Sequence, residues 1–159
     1  MPDFVKGRDE AVQILQGLIR LDTSNPPGNE TRAAEYIKSI LDKEGIPSEM
    51  HTLVAGRANL VARLKGNGRK RPLLLMAHTD TVGVEREKWT YDPFEAVIKD
   101  GYLYGRGAID DKDTVATALT VVLSLHRLKV PLDRDVIFLA EAGEEGTPEV
   151  GIAYMVDKH

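Results

Sequence analysis

The chain has 159 residues, 42% of them hydrophobic and 29% charged, which fits one compact domain or part of one and excludes a disordered tract. Its 21 basic and 25 acidic residues are interleaved, so no nucleic-acid footprint is visible; the only basic run, Arg69-Lys70-Arg71, lies between Gly66-Asn67-Gly68 and Pro72 and reads as a solvated turn. With no cysteine, disulfides and thiolate metal sites are excluded, and any metal must be held by His, Asp and Glu.

The stretch Met1–Glu10 is broken by charges and has no apolar run of signal-peptide length. No segment approaches the ~20 apolar residues of a membrane span, so a cytoplasmic protein with no membrane partner is expected. From Asp9 to Leu21, the spacing of Ala11, Val12, Ile14, Leu15, Leu18 and Ile19 predicts an amphipathic helix that ends before the turn Asn25-Pro26-Pro27-Gly28. A second helix opens at Asn29 or Thr31 and stops at Gly45. Two strand-like runs follow, Ser48 to Val54 and Asn59 to Leu64, separated by Ala55-Gly56-Arg57.

The unbroken apolar run Leu73-Leu74-Leu75-Met76-Ala77 predicts a strand buried on both faces in the middle of a sheet. Ala96 to Tyr104, centred on Asp100-Gly101, reads as a hairpin. Thr114 to Leu128 is expected to be a long apolar helix, Asp135 to Ala140 a second buried strand, and Pro148 onward the first turns of another helix. The alternation of strands and helices predicts an α/β fold, a layered mixed sheet with helices on both faces.

Three polar clusters stand just beyond the ends of predicted strands, where open α/β sheets place their ligand crevices. His78 and Asp80, two apart at the exit of a strand, point to one face while the chain stays extended. The pair reads as a metal-binding imidazole with a carboxylate that either ligates or orients the ring. In Gly105-Arg106-Gly107-Ala108-Ile109-Asp110-Asp111-Lys112-Asp113, three crowded carboxylates repel one another, a cost that a cation offsets. Helix capping accounts for one of Asp111 and Asp113 and stays open for Asp110. The third cluster, Glu141-Ala142-Gly143-Glu144-Glu145-Gly146, holds adjacent glutamates that in isolation would read as solvated surface.

Taken in order, several strings resemble the metallopeptidase family containing aminoacylase, carboxypeptidase G, carnosinase, acetylornithine deacetylase and succinyl-diaminopimelate desuccinylase. They are Leu73 to Val82, Trp89, Pro93-Phe94, Asp100 to Ala108, Asp110, Lys112 and Glu144-Glu145-Gly146. The opening Leu21-Asp22-Thr23-Ser24 before Asn25-Pro26-Pro27-Gly28 resembles these enzymes too. The resemblance implies a zinc-exopeptidase catalytic domain in which His78 binds one metal, Asp80 steadies the His78 ring, Asp110 bridges two metals, Glu144 is the general base and Glu145 binds the second metal. Such a bridge holds two cations ~3.5 to 4 Å apart. Zinc is the first choice for these ligands, with cobalt or manganese as substitutes.

The implied reaction is hydrolysis of an amide bond in a small peptide or N-acyl amino acid; acetylated and succinylated substrates stay open. Two departures stand out: Asp113 occupies a position where the family commonly has Gly, and family members run well beyond His159. They continue through an inserted lid or dimerisation domain, through which the parent would form a homodimer, and then supply a further carboxylate and a histidine ligand. Residues 1–159 are therefore expected to be the N-terminal part of a catalytic domain, truncated at its C-terminus and inactive alone. The alternatives are a non-catalytic binding or structural domain that keeps this fold and, more distantly, an unrelated α/β binding module without metal.

Overall fold

The computed structural model describes residues 3–159; Met1 and Pro2, from the charged N-terminal stretch, lie outside them. Helix α1 (Phe4–Ile19) begins where the Asp3 side chain accepts the Lys6 N–H at 3.0 Å, satisfying one of the free donors of the first turn. It opens ahead of Asp9, and apolar periodicity does not reveal this first turn because Phe4 and Val5 lie in solvent, off the buried stripe. Helix α2 (Thr31–Lys43) buries Ala33, Ala34, Ile37 and Leu41 along one face, the spacing that a helix lying on a sheet requires.

Strands β1 (Ser48–Thr52) and β2 (Ala58–Leu64) pair antiparallel with Ser48 opposite Ala62. Strand β3 (Leu73–His78) is followed by the small hairpin of β4 (Val97–Lys99) and β5 (Tyr102–Tyr104). Its turn residues, Asp100 and Gly101, both have positive φ, 53° and 82°, as the twist of a two-residue hairpin demands. Helix α3 (Lys112–Arg127) leads to β6 (Val136–Glu141), and a single 3₁₀ turn at Pro148–Val150 precedes α4 (Ile152–Lys158).

The main sheet has the order β1-β2-β6-β3, with β6 antiparallel to β2 and parallel to β3. Ala58, Leu60, Ala62, Val136, Phe138, Ala140 and Ala77 face one way and form a single core with Ile14 and Leu18 of α1, the buried stripe of α2, and Val115, Leu119, Val122 and Leu123 of α3. Residues 150–159 meet the opposite face. Asn59 donates to the Val150 carbonyl at 2.8 Å, and His51, its neighbour across the ladder, stacks on His159 with ring centroids 4.0 Å apart.

The placement of β3 corrects the expectation drawn from its apolar run. Among the described residues it is an edge strand with β6 as its one neighbour, and Leu73, Leu74 and Met76 are all more than 40% exposed. Its inward side packs against α3 and the core through Leu75 and Ala77, while its outward side has no covering layer among the described residues. A run of leucines reports that both faces of a strand are suited to burial; it does not say which segments supply the cover. The Asp135 to Ala140 expectation holds: β6 lies between two partners, with Val136, Phe138, Leu139 and Ala140 buried.

These positions predict different costs on truncation. Phe138→Ala, at a fully buried site, should destabilise by about 3–5 kcal/mol. Leu74→Ala, 49% exposed, should stay within about 1 kcal/mol. Urea unfolding midpoints of the two variants check this, and a Leu74→Ala cost equal to that of Phe138→Ala would mean that β3 is covered on both faces.

Candidate metal centre

The parallel pair β3 and β6 ends at one level, with His78 beside Glu141, so the segments that follow the two strands leave the sheet together. Thr79 extends the ladder by donating both its N–H and its hydroxyl to the Glu141 carbonyl at 2.9 Å. Residues 23–25 run alongside residues 79–81: the Thr23 hydroxyl donates to the Thr79 carbonyl at 2.7 Å, and the Asn25 N–H donates to the Thr81 carbonyl at 2.8 Å. This pairing brings the Asn25-Pro26-Pro27-Gly28 turn, distant in sequence, against Asp80.

Asp80 is fully buried, and its carboxylate is the organising group of the site. It accepts the Asn25 side-chain N–H at 2.9 Å and the backbone N–H groups of Glu144 and Glu145 at 3.1 and 3.0 Å. Its Oδ1 lies 3.4 Å from His78 Nδ1, which is also 3.0 Å from the Asp80 carbonyl oxygen. Both acceptors engage Nδ1, so that nitrogen carries the proton in the neutral ring and Nε2 is the lone-pair side. This is the arrangement that orients a metal-binding imidazole.

Asp110 Oδ1 lies 3.0 Å from His78 Nε2, and Glu144 Oε2 lies 3.8 Å from it. Ligand atoms of His78, Glu144 and Glu145 all fall within 4.8 Å of one another. Two ligands each ~2.0–2.1 Å from a tetrahedral zinc are ~3.3 Å apart, so the His78 to Asp110 spacing suits a shared cation as well as a hydrogen bond. The donor set is one imidazole nitrogen and several carboxylates, and it fits a hard or borderline divalent ion. The five residues singled out in the sequence therefore meet at one place: Asp80 behind, His78 buried in front of it, and Asp110, Glu144 and Glu145 toward solvent.

Charges of opposite sign crowd together here and shift one another's titration. Burial pushes His78 down, but hydrogen bonds to Asp80 and Asp110 outweigh it and carry the ring up to about 9. Burial opposes ionisation of Asp80, yet the bonds from His78, Asn25 and the Glu145 N–H hold it below the usual carboxylate range. Glu145 is pushed up by burial and by the neighbouring Asp110 and Glu144 charges. Glu141 is pushed up mainly by burial, and its Oε2 has no hydrogen-bond partner.

Several structural roles escaped the sequence reading. Asp111 sits at the cap position of α3, but its side chain makes no cap bond; it accepts the His78 N–H at 3.3 Å. Asp113 lies in the first turn of α3 with Oδ1 buried and unpartnered. A capping bond from Asp111 is thus corrected, while Asp113 keeps the first-turn place where free N–H groups and the helix dipole favour a carboxylate. Lys112 is fully buried and donates to the Leu18 and Leu21 carbonyls at 3.0 and 2.8 Å, tying the end of α1 to the start of α3. Its burial lowers it to about 8. Asn25, Glu30, Arg57 and Thr147 also join the site's supports. No sequence spacing links them, because they converge only through the packing of the sheet.

The sequence profile of Peptidase family M20/M25/M40 matches residues 74–159. The chain is 35% identical over 144 residues to an N-formyl-4-amino-5-aminomethyl-2-methylpyrimidine deformylase of Halalkalibacterium halodurans, covering 88% of this chain and 34% of that protein. It is 36% identical over 151 residues to a probable succinyl-diaminopimelate desuccinylase of Staphylococcus aureus, covering 94% of this chain and 36% of the relative. An M20 family metallo-carboxypeptidase from Sulfolobus solfataricus superposes with a TM-score of 0.79 at 26% identity, over 94% of this chain and 34% of the other. The chain thus spans about a third of the length of the curated relatives it matches.

The raised His78 predicts a pH dependence of the metal-free chain. A ring whose affinity for protons rises on folding, from 6.5 to about 9, stabilises the fold fully below pH 6.5 and loses that contribution as the pH climbs through 9. The upper bound is about 3 kcal/mol, reduced in practice because Asp110 is 77% exposed. Lys112 acts in the opposite sense between about 8 and 10.5, so the measurement is a difference. In chelator, the stability of the chain relative to His78→Gln should fall between pH 6.5 and 9, and a flat difference would mean that the ring is not held as imidazolium.

Proposed function

Because the chain belongs to Peptidase family M20/M25/M40, we propose that it carries part of the metal site of a hydrolase that cleaves an amide bond in a small peptide or N-acyl amino acid. The convergence of His78, Glu144 and Glu145 within 4.8 Å, with Asp110 on His78 Nε2 and Asp80 buried behind, carries the reading. His78 and Asp110 would hold one zinc-like ion, and Asp110 and Glu145 a second. When bound, such a pair supplies a water of lowered pKa and polarises the amide carbonyl.

The chain's own residues do the rest. Asp80 fixes the His78 tautomer and the direction of Nε2. Glu144 is half exposed at the mouth of the site, placed to accept a proton from the attacking water and return it to the leaving nitrogen. Asp111 and Lys112 secure the backbone on either side of the β3 exit and the α3 start, which sets where Asp110 points.

With two protein ligands per ion where a catalytic zinc commonly has three, residues 1–159 should hold zinc weakly or not at all and turn over no substrate. The remaining ligands and the lid would come from the portion of family members that this chain does not match. No helix among the described residues is long and apolar enough to cross a membrane, and the relatives named as a deformylase and a desuccinylase support hydrolysis at a small acyl group.

Assaying the chain with added zinc on short dipeptides and N-acyl amino acids should give no turnover; rates comparable to a complete family member would overturn the shortage of ligands. In a full-length protein carrying these residues, Asp110→Ala should remove metal, Glu145→Gln should weaken its binding, and Glu144→Gln should keep metal while turnover falls by ~10² to 10⁴-fold. Elemental analysis beside kinetics separates the three, and the reverse pattern for the two glutamates would exchange their roles.

A further inference from the structure

Behind the loop that bears Glu144 and Glu145 lies a second, largely buried polar cluster with no place in the reaction. Glu30, at the start of α2, is completely buried, and Arg57, just before β2, is 8% exposed. Arg57 Nε donates to Glu30 Oε2 at 2.5 Å and Nη2 donates to Oε1 at 2.6 Å, a two-pronged guanidinium–carboxylate contact. Removing such a pair from water costs about as much as the pair returns, so net stability is a weak reason for it to be there.

Its spare hydrogen-bonding capacity points elsewhere. Glu30 Oε1 also accepts the Gly143 N–H at 3.2 Å, and Arg57 Nη2 also donates to the Thr147 hydroxyl oxygen at 2.9 Å. Gly143 and Thr147 are the two ends of the loop, closed on itself by the Thr147 N–H donating to the Gly143 carbonyl at 2.9 Å. Asn25 completes the grip, donating to the Thr147 hydroxyl oxygen at 2.9 Å and the Glu145 carbonyl at 3.0 Å. The turn above is pressed onto the pair: a Cβ on Gly28 would lie 2.2 Å from Arg57 Nε and 2.6 Å from Glu30 Oε2.

We propose that the Glu30–Arg57 pair, acting through Thr147 and Gly143, is a positioning device that fixes the backbone of the 143–147 loop and so aims Glu144 and Glu145. This rests on the reading of Glu144 and Glu145 as the groups that do the chemistry. Their side chains are long and reach toward solvent, so their direction can be set in advance only from the backbone. Asp80 holds the middle of the loop by two N–H groups, and the ion pair holds its ends.

The experiment compares the chain with Thr147→Val, which removes the hydroxyl, Arg57→Lys, which keeps the charge and loses the fork, and Thr147→Ser, which restores the hydroxyl. Hydrogen exchange in chelator should be faster by about tenfold or more at Gly143, Glu144, Glu145 and Thr147 in the first two variants. Amides of β2 and β6 should be unchanged, and Thr147→Ser should behave as the parent sequence does. Zinc added to millimolar concentration, followed by the His78 ring resonances, should half-saturate the first two variants at ten- to a hundredfold higher concentration.

Loop amides that exchange at the original rate in both variants overturn the proposal. Faster exchange with unaltered half-saturation overturns it too, leaving the pair a structural brace. If the unsubstituted chain shows no zinc response, the shortage of ligands argued above accounts for it, and the exchange rates with the Thr147→Ser rescue alone decide whether the pair fixes the loop.

Discussion

The site depends on one buried carboxylate. Asp80 has no exposed surface, so every lone pair it presents must be answered by protein, and the groups that answer come from three separate parts of the chain. Asn25 comes from the turn after α1, His78 from the end of β3, and the Glu144 and Glu145 N–H groups from the loop after β6. An unpaired carboxylate at this depth would be costly enough to protonate or to unfold its surroundings. The need to satisfy it therefore pulls those three segments into one place, and with them the side chains they carry.

That constraint also explains why the fold puts β3 beside β6. Parallel neighbours end at the same edge of a sheet, so the segments leaving them are adjacent without a long connection to bring them together. The ladder continues past the strands through Thr79, and the 23–25 segment joins on the far side of residues 79–81. A loop stitched on both sides by main-chain bonds can hold a carboxylate in a fixed direction. Surface loops without such stitching cannot.

Much of this was legible in the sequence, and the reasons differ by element. Periodicity located α1, α2 and α3 because each buries one face in the core, and Asp100-Gly101 gave the hairpin because few other residues adopt its turn. The metal-site candidates were legible because each followed a strand, a position that carries ligands in α/β sheets. The edge position of β3 was not, since apolar content measures what a strand can bury and not what is present to bury it. Glu30 and Arg57 were illegible for a different reason: they lie in a turn and at a strand start, where charged residues ordinarily meet water, and only their three-dimensional meeting makes them internal. Asp111 misled in the opposite direction, having the right type and place for a cap while its side chain is drawn to the His78 N–H.

The site is therefore built unevenly. Its rear is buried: Asn25 donates to Asp80, Arg57 donates to Glu30, Asn25 and Arg57 both donate to Thr147, and His78 is 6% exposed. Its front is open, with Asp110 and Glu144 projecting into solvent. Electrostatic attraction between exposed charges is weak and screened, so the exposed carboxylates gain their direction from the backbone behind them. The repulsion among those carboxylates is tolerable for the same reason: the loops are fixed by bonds made elsewhere, and the carboxylates can stay crowded until a cation neutralises them. On the proposed function, the preference of the site for a cation would come from the direction of its carboxylates, and on the proposed role of Glu30 and Arg57 that direction is decided behind the carboxylates themselves.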